Sequence, residues 1–274
     1  MNQASLILIL EAMAIYFLVL WSHSLRHRFG LAHFYALIGG LTAIMSWITD
    51  AGVKVEVMGI TFMVGSTVFY TSLLLSVFVV YVFDGPRATR IAISTIVGVS
   101  IFVPIIALVL HLQMKIAHHT PLGYVPIPSL RINTASVFAT LLDLIFLAIA
   151  WEFLGKERLR LNLWLRVFIT LLGVMWLDVV LFATGAFAMS PEYFSIIKGS
   201  LLSRLIISIF ACPFLWVYFK WQSEKNGIEI ENRPVLAILK KVAEIKKELN
   251  LAHEEIERRK KLEKEREKLI GELQ

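Results

Sequence analysis

The feature that most constrains this chain is a change of solvent near Lys220. Ahead of it, apolar stretches long enough to cross a bilayer follow one another; after it comes a charged run patterned in heptads, with no further span. A bilayer core about 30 Å thick needs roughly 20 mostly apolar residues in a helix, because lipid offers the backbone no hydrogen-bonding partner. The expected fold class is therefore all-α: a polytopic membrane protein with a seven-helix transmembrane bundle followed by a cytoplasmic coiled-coil helix. The bundle is assigned to residues 1–222, a linker to 223–233 and the heptad helix to 234–274.

Hydrophobic residues make up 57% of the 274, charged residues 18%, and the mean hydropathy is +0.71, which excludes a soluble globular domain. Of the 27 Lys+Arg, 14 lie from Lys220 onward, together with 12 of the 21 Asp+Glu. The remaining basic residues gather at span ends. The net charge of +6 thus signifies membrane topology, and no nucleic-acid partner is expected. The one cysteine, Cys212, sits in an apolar span, where no intrachain disulfide and no thiolate metal site are expected. Residues 1–5 carry no basic side chain and the apolar run continues to Trp21, so the N-terminus reads as a first span and not a cleavable signal.

The seven spans fall near 5–22, 33–50, 59–83, 91–112, 132–153, 163–187 and 195–219. Their breaks combine charge with helix breakers, at Arg26 to Gly30, at Asp84-Gly85-Pro86-Arg87 and at Gly155 to Arg160. Ser190-Pro191-Glu192 supplies an N-cap and a proline for the start of the last span. Arg26, Arg28, Arg87, Arg90, Lys156, Arg158 and Arg160 occupy alternate loops on the side of Lys220, while the other side holds only Lys54, Lys115, Arg131 and Lys198. The positive-inside rule then places the N-terminus outside and the C-terminus in the cytoplasm. Trp21, Trp151, Trp164, Trp216 and Trp221 are expected to form a belt at the inner interface. The one long outer connection, Gln113 to Leu130, is proline-rich and carries His118 and His119. It is expected to link bundle halves, with a lid over an outer pocket as the alternative.

From Val235 the apolar residues run Ile238, Val242, Ile245, Leu249, Ala252 and Ile256, a narrow seam in steps of three and four. A helix this polar needs a partner, and a parallel homodimer through Val242, Ile245, Leu249 and Ile256 is expected. No nucleotide, phosphate-cradling or cyclase motif accompanies it. The output domain is therefore expected beyond this chain or on a separate partner.

Ionisable residues within spans are functional candidates by default. Glu11, Asp143, Asp178 and Arg204 are the four here, and Asp178 and Arg204 lie at similar depth on consecutive helices, which makes an ion pair geometrically natural. Glu11 and Asp143 are left without a cation, and are expected to line an outward-opening cavity for a cationic or multiply hydrogen-bonding ligand. The third span is rich in small and hydroxyl residues, among them Gly59, Gly65, Ser66 and Ser72, read foremost as a close helix contact. His111, His118 and His119 with Asp50 and Glu56 match no metal-ligand spacing. No catalytic triad or zinc motif is present, so neither enzyme activity nor a cofactor is expected.

The tail from Glu257 to Gln274 resembles the charged helical linkers of bacterial membrane sensor proteins, which join a sensor to a histidine-kinase or diguanylate-cyclase output. The stretch from Gly59-Ile-Thr-Phe-Met-Val-Gly65 through Tyr70 to Asp84-Gly85-Pro86-Arg87 is similar to a span of the vitamin-uptake and queuosine-precursor transporter family. Val77 and Tyr81 stand where that family carries acidic residues, which argues against proton-coupled chemistry in this helix. Together these resemblances imply a transporter-like fold reused as a homodimeric sensory-transduction module of an inner membrane, of the kind found in two-component systems. Secondary transport of a small polar, vitamin- or nucleobase-like solute is the alternative.

Overall fold

The computed structural model describes residues 3–57, 60–116, 126–155, 161–189 and 193–226, and Arg258. The contacts divide the chain into Met1–Arg233 and Pro234–Gln274, and all described residues but Arg258 belong to the first unit. The heptad helix with Val242, Ile245, Leu249 and Ile256 lies outside the described residues. So do Gly59, His118, His119, Lys156, Arg158, Arg160 and the Ser190-Pro191-Glu192 start signal.

The elements are α1 (Gln3–Ser24), α2 (Arg26–Phe29), α3 (Ala32–Asp50), β1 (Lys54–Val57), β2 (Ile60–Met63), a π-helical turn (Gly65–Tyr70), α4 (Thr71–Ile116), α5 (Leu130–Leu154), α6 (Leu163–Phe187) and α7 (Tyr193–Asn226). Among the described residues six helices are long and apolar enough to cross a membrane, the π turn and α4 counting as one of 52 residues. At 1.5 Å per residue a straight helix of that length would measure about 78 Å, more than twice a bilayer core.

It is not straight. Gly85 adopts φ +83 and ψ −174, a conformation essentially reserved for glycine, and Pro86 opens the next helix where its missing N–H costs nothing. The neighbours along α3 show the reversal. A Cβ on Gly65 would lie 2.5 Å from Thr49 Oγ1, near the end of α3. Asp84 bonds His23, whose ring packs on Phe34 near the start of α3. After the turn, Tyr35 OH donates to the Ala88 carbonyl at 3.1 Å, and Gly39 faces Thr95. The chain thus descends along α3 and climbs back, so this 52-residue stretch runs as two apolar segments joined at Gly85.

Two local features depart from the expectation. The third span does not start at 59, because β1 and β2 pair antiparallel, with Lys54 opposite Met63 and Glu56 opposite Thr61. Val55, Val57, Ile60 and Thr61 are β-branched, and Val55 and Val57 alternate with Lys54 and Glu56, which favours a strand. The Asp84-Gly85-Pro86-Arg87 break is a reversal at one residue and not a solvated loop.

The helices begin where capping predicts. Asn162 Oδ1 accepts from the Leu165 amide at 2.8 Å, and Ser129 caps α5 in the same way. At the end of the bundle away from the hairpin, edge-to-face rings join α4, α5 and α7. Phe78 meets Trp151 at 5.0 Å and Phe219 at 5.4 Å, and Phe83 meets Phe219 at 5.4 Å. Such pairs each contribute about 0.5–1.5 kcal/mol beyond area burial. Trp151 is only 2% exposed and stacks under the Arg166 guanidinium at 3.6 Å. It belongs to the core and not to an interfacial belt, because its ring packs between Phe78, Phe219 and the Arg166 guanidinium.

Candidate ligand chamber and a second polar cluster

At the hairpin end a cavity of about 380 Å³ opens between α3, the hairpin, the π turn, α5, α6 and α7. Its volume lies within the roughly 300–1,000 Å³ of small-molecule sites. The upper wall carries Lys54 and Thr61 from the hairpin, the sides carry Met45, Ile132 and Phe182, and the deep wall is formed by Ser66, Tyr70, Asp178 and Arg204.

The π turn explains how the deep wall is built. One extra residue per turn displaces carbonyls from the normal helical ladder, and such bulges are frequent at functional sites. Here the Ser66 carbonyl accepts from Arg204 Nη1 at 2.5 Å, and the Thr67 carbonyl accepts from Tyr16 OH at 2.8 Å. The turn is thereby tied to α7 on one side and to α1 on the other. Arg204 Nη2 donates to Asp178 Oδ2, and its guanidinium sits 5.1 Å from the Tyr70 ring centre. Tyr70 OH donates to Asp143 Oδ2 at 2.5 Å.

The sequence candidates separate cleanly. Asp178, Arg204 and Ser66 meet in one wall, and the ion pair foreseen between Asp178 and Arg204 is present with side chains 10% and 8% exposed. Asp143 is fully buried and lies behind Tyr70, beside Asp178, so it does not line the chamber. Glu11 lies half-buried on α1, outside the chamber wall and with no hydrogen-bond partner among the described residues. Neither Glu11 nor Asp143 is therefore among the residues that line this chamber, although both were expected on a cavity wall. Gly65 permits the close approach of Thr49, while Ser72 Oγ donates to the Phe69 carbonyl within its own helix at 2.6 Å. Among the described residues no group of three or more His, Cys, Asp and Glu could hold a metal ion.

A second buried polar cluster lies at the other end, around the Gly85 reversal. His23 Nε2 donates to Asp84 Oδ2 at 2.6 Å, and His23 Nδ1 accepts from Tyr218 OH at 2.7 Å. Arg26 Nε reaches Asp84 Oδ1 at 3.2 Å, and its Nη atoms donate to Tyr218 and Gln222. The donor inventory is consistent with the imidazole tautomer protonated on Nε2. Arg26 is 7% exposed and His23 fully buried. Sequence reasoning placed Arg26 and Asp84 among solvated loop charges. The available signal was the Gly-Pro pair after Asp84, which marks a turn too tight to lift its acid into water, and His23 three residues before Arg26 on one helical face.

An apolar groove of about 400 Å³ between α1 and α7, lined by Phe17, Trp21, Phe214 and Trp221, offers little polar chemistry. The fold and the chamber define an all-α polytopic membrane protein with a polar pocket at one end of its bundle. The chain belongs to the vitamin uptake-like sensor family, whose model matches residues 16–219. That span takes in the chamber residues and all of the second cluster but Gln222, and agrees with the resemblance carried by Gly59 through Arg87. Searches of curated proteins and of solved structures each gave no match.

Proposed function

We propose that this chain is the sensory part of a signal-transduction protein of a bacterial or archaeal inner membrane. Its chamber binds a small ligand, its body performs no catalysis, and the signal leaves through a C-terminal helix that pairs with a second copy. The N-terminus and the chamber mouth face outward, and Lys220 and the heptad segment face the cytoplasm, as the loop charges require.

The observation that carries this reading is that the same two helices serve both polar clusters. The π turn and α4 carry Ser66 and Tyr70 in the chamber and Asp84 in the second cluster, while α7 carries Arg204 in the chamber and Tyr218 and Gln222 in the second cluster. Tyr70 to Asp84 and Arg204 to Tyr218 are both separated by fourteen positions, about 21 Å along a helix. A ligand that engages Arg204 or Tyr70 can therefore alter the fit of α7 against α4 at the far end, from which residues 227–233 lead to the heptad segment. It can shift that equilibrium only by its difference in affinity for the two packings. Reversing a 1:99 population would require about 5.5 kcal/mol.

The test is topology with dimerisation, in a Cys212→Ser background. Single cysteines placed near residues 2 and 270 should label from opposite sides of the membrane, and Leu249→Cys should form an inter-copy disulfide. Labelling from the same side, or a heptad segment that stays monomeric in the full chain, would refute the transducer. The family's likeness to uptake proteins favours transport as the second reading. Vesicles containing the chain separate the two, since accumulation beyond one solute per protomer indicates transport and saturable binding without accumulation indicates sensing.

A further inference from the structure

The charges around the chamber point to the chemical class of its ligand. Each carboxyl group near the deep wall already has a partner: Asp178 has Arg204, Asp143 has the Tyr70 hydroxyl, and Asp50 has the Asn133 amide at 2.9 Å. A cationic ligand would find no unspent carboxylate on the chamber wall: Asp178 is paired with Arg204, and Asp143 and Asp50, which have no cation, are not among the lining residues.

The basic side is different. Lys54 lines the mouth on the hairpin face, and it makes no ion pair among the described residues. Glu56, two residues along on the same face, does not line the chamber and is not in ion-pair contact with Lys54. Arg204 lines the deep wall with only Nη1 and Nη2 engaged, by Ser66 and Asp178, so further guanidinium N–H groups remain. The chamber thus offers one unpaired ammonium at the mouth and spare guanidinium donors at depth, along a wall of hydroxyls and hydrocarbon.

Resting on the reading of this pocket as the ligand site, we propose that the chamber selects a small molecule bearing an anionic group, a carboxylate or a phosphate. The anion is bound at depth by the spare donors of Arg204, with the ammonium of Lys54 at the mouth adding attraction, and the uncharged remainder lies against Met45, Val179 and Phe182. Guanidinium and ammonium groups facing a partly desolvated site favour such a group over its neutral isostere, because charge-assisted hydrogen bonds are about twice as strong as neutral ones. An anionic lipid headgroup and a free solute share this chemistry.

Binding to the full chain in nanodiscs tests the proposal, with isosteric probes: nicotinate against nicotinamide, benzoate against benzamide, and benzylamine as the cation. Inorganic phosphate is the free phosphate probe. Nanodiscs of phosphatidylcholine with and without phosphatidylglycerol separate a lipid headgroup from a solute. The expected result is saturable stabilisation by an anionic probe or by phosphatidylglycerol. It should fall at least tenfold in Lys54→Gln and be restored in Lys54→Arg, with the neutral twins inert. Lys54 is exposed, so neither variant threatens folding. Equal binding of acid and amide, preference for benzylamine, an effect unchanged in Lys54→Gln, or no anion bound from any source would each overturn it. A neutral or cationic probe lost on Ser66→Trp would refute the anion class and leave the pocket in place. No probe of any charge binding would count against both.

Discussion

Stripping the guanidinium from Arg204 is the most informative single perturbation, because its several contacts have very different expected weights. Arg204→Met keeps the stem but loses the bond to Ser66, the cation over Tyr70 and the ion pair with Asp178. An interhelical hydrogen bond in a membrane contributes only about 0.6 kcal/mol on average. The cation–π contact adds up to about 2 kcal/mol when desolvated. The largest cost comes from the carboxylate left behind: both side chains are at most 10% exposed, and removing one partner of a buried pair costs about 3–5 kcal/mol. A loss of about 3–5 kcal/mol is expected for Arg204→Met, and a similar one for Asp178→Leu. Combining the two removes both charges and strands neither, so the double variant should be no less stable than either single one, giving a coupling of at least about 3 kcal/mol. Reversible unfolding in mixed lipid–detergent micelles measures all three. Single losses below about 1 kcal/mol, or a double variant equal to the sum of its parts, would show that the pair is solvated through the chamber and that the burial argument is wrong.

The remaining predictions concern the backbone and the second cluster. Gly85→Ala places a side chain at φ +83 and should cost about 1–3 kcal/mol in the same assay; a change below about 0.5 kcal/mol would show that the reversal tolerates another geometry. Gly65→Ala would set its Cβ 2.5 Å from Thr49 Oγ1 and 3.3 Å from the Thr49 amide, for a loss of about 1–3 kcal/mol that Thr49→Ala recovers in part. Tyr218→Phe removes the hydroxyl that joins His23 at 2.7 Å and Arg26 at 3.4 Å, and should cost about 1 kcal/mol. An unchanged Tyr218→Phe would mean that the second cluster holds through Asp84 and Gln222 without the tyrosine hydroxyl.

What could be read in the sequence followed from the solvent each residue must meet. Long apolar runs can only be helices in lipid, so the bundle and the depths of Asp178 and Arg204 were legible from length and polarity. The hairpin was not, because Val55 to Met63 is both apolar enough to extend a span and β-branched enough to pair, and only contact with its neighbours decides between them. Asp143 was legible as a buried acid but not as one behind a ring, since which face of α5 meets Tyr70 depends on helix packing. The second cluster was missed for a related reason. Charges at span ends are normally solvated, and only the tight reversal at Gly85 draws Asp84 back against His23 and Arg26.

For the proposed relay, the two connecting helices differ in stiffness. Pro213 lies on α7 between Arg204 and Tyr218, where it removes a backbone hydrogen bond and permits a bend. On α4 the irregularity is the π turn inside the chamber, and from Thr71 to Asp84 the helix is unbroken. A displacement of Arg204 along α7 could be absorbed at Pro213 before it reached Tyr218, whereas a displacement of Tyr70 has no such outlet before Asp84. Between the two ends, Phe78 and Phe83 of α4 pack on Phe219 of α7, beyond Pro213. Motion carried by α4 is thus handed to the part of α7 below its bend. In the proposed relay the stiffer route from the chamber to the far part of α7 would therefore run down the π turn and α4 and cross to α7 through these rings, with Arg204 serving at the chamber chiefly to tie the π turn to α7.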